Sequence, residues 1–257
     1  MSRFKIVTVL TAVVLAIIAL TSAGRLRWCL IAVVLFAYLG LIILGVVFIQ
    51  MRFFCNALCR LQNAPKRVVL TFDDGPDPAV TAILLDKLKQ LQIKAAFFCI
   101  GQKVINNPEI ARRIADEGHI LGNHSFHHNW YTNFLFGKYL FCEIEQTQKA
   151  IKNITGSCPV FFRPPMGLTN PHYNGILQKF GLTVVGWDVR SLDYCALKPE
   201  TVIERIIKNT RDGSIIVLHD GCAQTQFLLE VLTAVVQQLR ERSYTFVNLK
   251  TFYDNNA

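Results

Sequence analysis

Leu70-Thr71-Phe72-Asp73-Asp74-Gly75-Pro76 runs from an apolar strand into two adjacent carboxylates and a tight turn. Strand side chains alternate between faces, but a Gly-Pro turn at the strand's end can swing both carboxylates into one cleft. There, one can bind a cation while the other moves a proton. The same residues also make an ordinary solvated turn, and the segments on either side decide between the two readings.

Downstream, strand-like and helix-like patterns alternate to the end of the chain. Strands are expected over 68–72, 95–100, 119–123, 160–163, 183–187, 214–218 and 245–249, and helices over 79–91, 108–117, 139–154, 171–180, 199–209 and 226–241. Pro108 suits the first turn of its helix, while Gly118 and Gly156 suit helix stops. About seven strand–helix units predict parallel strands wrapped by helices, as a barrel or an open sheet. Chemistry in such folds gathers at the carboxyl ends of the strands. Asp73, Asp74, His124, Arg163, the stretch 188–193 and His219 all fall there.

Upstream, residues 6–20 and 28–51 carry no charge. The second run is long and apolar enough to be a transmembrane helix. The first, with Arg3 and Lys5 ahead and Thr21-Ser22-Ala23 behind, reads either as a signal peptide or as the first arm of an uncleaved hairpin. A second span so close behind favours the hairpin. The expected organisation is a two-helix membrane anchor over 1–51, a juxtamembrane connector over 52–67 and a catalytic domain over 68–257.

The net charge of +9 belongs mostly to the membrane flanks: no Asp or Glu precedes Asp73, and without Arg3, Lys5, Arg25, Arg27 and Arg52 the balance is 22 basic to 18 acidic residues. A nucleic-acid footprint needs a basic stripe with interleaved aromatics, which is missing, so no nucleic-acid partner is expected. Arg3, Lys5, Arg52, Arg60, Lys66 and Arg67 outnumber Arg25 and Arg27 across the hairpin. That count leans toward a cytoplasmic domain. The eight cysteines form neither a small-domain disulfide framework nor a zinc-ribbon pattern. Cys55 and Cys59 read as a bridge, as a ligand pair or, in preference, as two unpaired thiols at the interface.

In His124-Ser125-Phe126-His127-His128, imidazoles recur four residues apart after an expected strand. If the segment is helical, His124 and His128 share a face and reach one ion. Two imidazoles and one carboxylate make a catalytic zinc set with positions left for water. Phe162-Arg163-Pro164-Pro165-Met166-Gly167 is a stiff turn with one guanidinium, and its prolines can aim the Met166 amide inward. A proline-rich surface loop is the other reading. Leu218-His219-Asp220-Gly221 ends a buried strand with a histidine suited to proton donation.

Together these motifs, in order from about residue 66 to 249, resemble the polysaccharide deacetylase family, the NodB-homology fold of carbohydrate esterase family 4. The resemblance implies an α/β fold, a distorted (β/α)7-type barrel, here preceded by two N-terminal transmembrane helices. It implies a hydrolase in which Asp74, His124 and His128 hold a divalent metal, zinc or another transition ion. Asp73 would be the general base oriented by Arg163, His219 the general acid paired with Asp193, and the Met166 backbone N–H an oxyanion donor. The expected substrate is an N-acetylated polysaccharide, oligosaccharide or lipid-linked glycan. Deformylation of a glycolipid precursor and a catalytically silent glycan-binding module are the alternatives. The expected location is a bacterial-type inner membrane, multi-pass, with the side of the domain open. Four positions depart from the family's pattern: Met166 where an aromatic is frequent, Arg190 and Tyr194 within the usual Asp-x-x-Asp-Trp stretch, and Val217 in place of leucine. Arg190 could meet an anionic substrate group or make a surface salt bridge.

Overall fold

The apolar run ahead of the carboxylates forms strand β2 (Arg67–Asp73), buried at every position after Arg67. Continuous burial, rather than alternation with solvent, is what a parallel strand shows when both sheet faces are covered. The computed structural model, which describes residues 3–134, 137–221 and 224–250, sets β2 in a curled parallel sheet. The other strands are β1 (Ala57–Leu58), β3 (Ala96–Cys99), β4 (Ile120–Asn123), β5 (Phe161–Phe162), β6 (Thr183–Val185), β7 (Val189–Arg190), β8 (Ile215–His219) and β9 (Thr245–Phe246). Their order is β1-β6-β5-β4-β3-β2-β8-β7, with β9 pairing to β2. The curl brings its two sides together where Arg60, just past β1, bridges antiparallel to Ser214 before β8.

Helices α3 (Thr81–Gln90), α5 (Pro108–Asp116), α8 (Pro199–Asn209) and α9 (Thr225–Glu241) put their apolar faces on the outside of the sheet. Leu84, Leu88, Ile114, Ile206 and Leu232 pack there against Val68, Leu70 and Phe72. Helices α6 (Gly137–Thr155) and α7 (Tyr173–Lys179) cover the β5–β6 side. A smaller cluster, including Val69, Ala96, Phe98, Phe161 and Val217, fills the inside of the curl. The expected strands and helices are present within a few residues. Three elements had no readable signal: β1, β7 and α4 (Gly101–Asn106). Two-residue strands have no periodicity, and a helix opening on glycine reads as a stop.

Two apolar helices precede this body, α1 (Arg3–Thr21) and α2 (Gly24–Val47), with mean hydropathies of 2.4 and 3.0 and almost no burial. Both are long and apolar enough to cross a membrane, a test that a signal sequence also passes. Thr8 and Tyr38 join them by a hydroxyl–hydroxyl hydrogen bond of 2.9 Å. The stretch that follows is no loose tether. Phe53, Phe54, Ala57, Leu61 and Ala64 are buried, and β1 extends the sheet from within it. Cys55 and Cys59, expected as unpaired thiols at the interface, are unpaired but lie in the core. Burial, with the neighbouring Cys59, pushes the Cys55 thiol up to about 12. All seven described cysteines are free; Cys222 lies outside the described residues.

Candidate active site

Strand alternation selects the site. On β2, Val68, Leu70 and Phe72 face the outer helices, so Val69, Thr71 and Asp73 face inward. On β8 the same alternation turns Ile215, Val217 and His219 inward, and Asp73 and His219 are register partners. His124 follows β4 and Arg163 follows β5. All four thus meet inside the carboxyl end of the curl.

Arg163 has no solvent exposure and forms the floor. Its Nη1 donates to Asp73 Oδ1 (2.6 Å) and to the Thr71 hydroxyl (2.9 Å). Its Nε and Nη2 donate to the Val185 and Gly186 carbonyls (3.2 and 2.9 Å). The guanidinium lies 4.1 Å over the Phe98 ring. A planar cation with its donors spent on fixed acceptors holds the carboxylate in one orientation.

Asp74 is brought beside Asp73 by its own backbone, which takes the left-handed conformation at φ 74°. Its Oδ1 lies 3.5 Å from His124 Nε2 and 3.3 Å from His128 Nε2. The histidine segment is not helical, contrary to the condition set from sequence. Ser125 and His128 have φ values of 64° and 54°, and this turn brings the His124 and His128 rings to 4.7 Å between centroids at a 45° tilt. Glu143 on α6 fixes the turn by accepting from the Phe126 and His127 N–H groups (3.0 and 2.9 Å). It also pairs with His127 Nδ1 (2.6 Å), which draws the third imidazole away from the cluster.

The donor chemistry of this trio fits a cation. His124 Nδ1 lies 2.7 Å from the Arg163 carbonyl, which can only accept, so Nδ1 carries the proton and Nε2 presents a lone pair in the neutral ring. That lone pair faces Asp74 Oδ1, a buried oxygen without a hydrogen-bond partner among the described residues. Three ligand atoms within 4.8 Å of one another, among them an imidazole lone pair and an orphaned carboxylate oxygen, are complementary to a divalent ion. Burial would raise the Asp74 carboxyl, but the facing imidazoles, His124 foremost and then His128, outweigh it and hold the group well below the usual carboxylate range. Burial, with the neighbouring His124, pushes His128 down to about 4. Carboxylate and neutral imidazole are the forms that ligate.

On the other wall, Asp193 Oδ1 lies 2.7 Å from His219 Nδ1, and its Oδ2 accepts from the His219 backbone N–H (2.8 Å). Ser191 donates to the same carboxylate (2.8 Å). Burial would lower His219, but the Asp193 hydrogen bond and charge, aided by Asp73 and Asp74, lift it to about 9. Met166 has φ 56° in the turn that follows Arg163, and its side chain is half-exposed. Asp188 is turned out of the cleft, tied to Ile215 N–H, Ser214 and Arg211. Arg190 meets Tyr194, its Nη2 3.0 Å from the phenol oxygen, and the Tyr194 ring stands edge-on to His219 at 5.3 Å.

One neighbouring group escaped the sequence reading. Asp220 is fully buried behind the Asp73-Asp74 turn, where it accepts from the Thr81 hydroxyl (2.5 Å) and its N–H donates to the Asp73 carbonyl (3.0 Å). A Cβ on Gly75 would collide with its carboxyl, so only glycine fits that turn. The only sequence signal for Asp220 was a carboxylate next to a strand-end histidine, which gives no hint that it faces the opposite way.

The sequence profile of polysaccharide deacetylases matches residues 60–185. The peptidoglycan-N-acetylglucosamine deacetylase PgdA of Listeria monocytogenes is 34% identical over 73% of this chain and 39% of its own length, so the chain spans well under half of that relative. A chitooligosaccharide deacetylase of Azorhizobium caulinodans is 36% identical over 63% of this chain and 78% of its own. The crystal structure of the Bc1960 peptidoglycan N-acetylglucosamine deacetylase superposes with a TM-score of 0.72 at 30% identity, covering 76% of this chain and 92% of the other. The chain belongs to the polysaccharide deacetylase family, carbohydrate esterase family 4.

Proposed function

We propose that this protein is a membrane-anchored, metal-dependent hydrolase that removes N-acetyl groups from the amino sugars of a glycan. The observation that carries the reading is the convergence of two different carboxylate–cation pairs on one cluster of lone pairs. Asp73 is fixed by Arg163 at 2.6 Å, and His219 by Asp193 at 2.7 Å. A silent glycan-binding module has no need of this set. The named relatives act on peptidoglycan and chitooligosaccharide, which supports an N-acetylated amino sugar as the substrate class.

Asp74, His124 and His128 would hold the metal. Two imidazoles and a carboxylate suit zinc, and other divalent transition ions accept the same donors. When bound, such an ion polarises the acetamide carbonyl and makes water a better nucleophile. Asp73, oriented by Arg163, takes the proton of the attacking water. The Met166 N–H donates to the oxygen that gains charge. His219 gives its proton to the departing nitrogen, and Asp193 keeps the resulting imidazole in place. The products are acetate and a free amine on the sugar.

In this reading residues 1–51 form a two-helix anchor in a bacterial cell membrane, and 68–257 form the catalytic unit, into whose sheet and core the connecting segment 52–67 is packed. The test is acetate release from N-acetylated chitooligosaccharide by the full chain loaded with zinc. We expect release that a chelator abolishes, and one divalent ion per chain by metal analysis. A metal-loaded protein that releases no acetate from any N-acetylated glycan overturns the proposal.

A further inference from the structure

The end of the apolar hairpin is fastened to the mouth of the cleft, not to the remote face of the barrel. Thr169, three residues beyond Met166, donates its hydroxyl to the Gly45 carbonyl (2.9 Å) and its N–H to the Val46 carbonyl (3.0 Å), both in the last turn of α2. Gln50 donates to the carbonyl of Trp187 (2.9 Å), at the carboxyl end of β6. The Trp187 ring abuts Gly167, and Arg163 lies 5.5 Å from its centroid. Gly45 is the buried residue of α2, and it packs so tightly on Phe53 that no side chain fits there. At the other arm, the Phe4 N–H donates to the Phe53 carbonyl (3.0 Å). Bonds from the α2 end therefore set the hairpin against the loops that follow Met166 and β6, while the α1 end is tied to residues 51–53 beside them.

The rim on this side has the composition of an interface. Trp130 and Tyr131 lie one residue beyond the ligand-forming segment 124–128, and Trp130 is 70% exposed. Their turn is joined to the Met166 loop where Asn133 donates to the Pro165 carbonyl (3.1 Å), and Asn170 donates back to the Asn133 carbonyl (2.8 Å). Exposed tryptophan and tyrosine, with a half-exposed methionine, are costly in water and settle at the boundary between hydrocarbon and headgroups. Arg3, Lys5 and Arg52 place positive charge at the same end of the hairpin, where anionic headgroups would meet it.

Resting on the anchor and deacetylase readings above, we infer that the rim formed by Trp130, Tyr131 and Met166 lies on the bilayer surface, and that the amino sugar is presented on a membrane lipid. A cleft whose mouth is held against the headgroups admits a sugar tethered there and hinders one arriving on a bulky soluble polymer. Confinement of enzyme and substrate to one surface raises their effective concentration without any new contact.

The experiment uses the full chain, zinc-loaded, in nanodiscs of phosphatidylethanolamine and phosphatidylglycerol. Two probes carry the same N-acetylglucosamine: one on polyprenyl phosphate in the disc, the other in a water-soluble chitooligosaccharide. We expect kcat/KM for acetate release to be on the order of 100-fold higher for the lipid-borne probe. In a Trp28→Phe background, which removes the tryptophan of α2, brominated lipid should quench a fluorescence component that the further change Trp130→Phe eliminates. Equal or faster release from the soluble probe overturns the substrate inference. Absence of quenching at Trp130 overturns the placement of the rim. Quenching without release from either probe sinks the deacetylase reading, and the lipid-borne substrate falls with it.

Discussion

Two carboxylate–cation pairs face each other across the cleft, and they differ in what their cation can do. In Asp73–Arg163 the guanidinium is wholly buried, each of its nitrogens donates to a fixed acceptor, and it cannot give up a proton at any working pH. In Asp193–His219 the imidazole side chain keeps 17% of its surface, and among the described residues only Nδ1 has a hydrogen-bond partner. The first pair can orient a base but never exchange with it. In the proposed reaction the second would store a proton behind one ring nitrogen and leave the other for substrate. Burial and the choice of cation, with the same kind of carboxylate in both, separate the scaffold from the donor.

The sharpest way to break this contrast is Asp73→Asn. Acetate release should fall about 10²- to 10⁴-fold, the range for removal of a general base. Divalent-ion binding by calorimetry should persist, because Asp74, His124 and His128 are untouched. Loss of ion binding together with activity would instead place Asp73 among the ligands, 3.9 Å as its Oδ2 now stands from His124 Nε2. Next in size is Arg163→Met, which leaves Asp73 buried without its partner. Denaturant unfolding should show a loss of about 3–5 kcal/mol, the cost of stranding one member of a buried pair.

Asp193→Asn tests the other wall, and its effect is one of pH. In the native protein His219 is raised from 6.5 to about 9, so it is protonated, and competent as an acid, up to that pH. The stability from this raised value is complete below 6.5 and is lost as pH rises through about 9. With the carboxylate neutralised, the alkaline limb of the kcat profile should move down toward an ordinary imidazole value. An unmoved limb would mean that another group titrates there. The smallest effect belongs to Arg190→Ala: this side chain meets only Tyr194 in the described contacts, and stability should stay within about 0.5 kcal/mol.

Which parts of this site could be read beforehand follows from the range of the interactions involved. The strand phase was legible because burial of Leu70 and Phe72 on one face forces Thr71 and Asp73 onto the other, a relation internal to seven residues. The candidate ligands and the candidate acid were legible by residue type at strand ends. The geometry of the histidine turn was not, because it depends on Glu143 reaching back from α6 and on left-handed backbone at Ser125 and His128. Asp220 escaped because its partner, Thr81, is 139 positions away. The role of residues 52–67 escaped because a two-residue strand acquires meaning only beside β6.

By itself the sequence determined the alternation of strands and helices, the two apolar runs, and the residue types delivered to one end of the barrel. These are local matters of periodicity, polarity and turn chemistry. The tertiary structure alone decided the rest. The Arg163 carbonyl sets the tautomer of His124, and the curl of the sheet seals Arg163 beneath Asp73. Thr169 and Gln50 bind the end of the hairpin to the rim of the cleft. Each of these joins groups tens of positions or more apart, whose meeting depends on the closed fold and leaves no trace in any short stretch of chain.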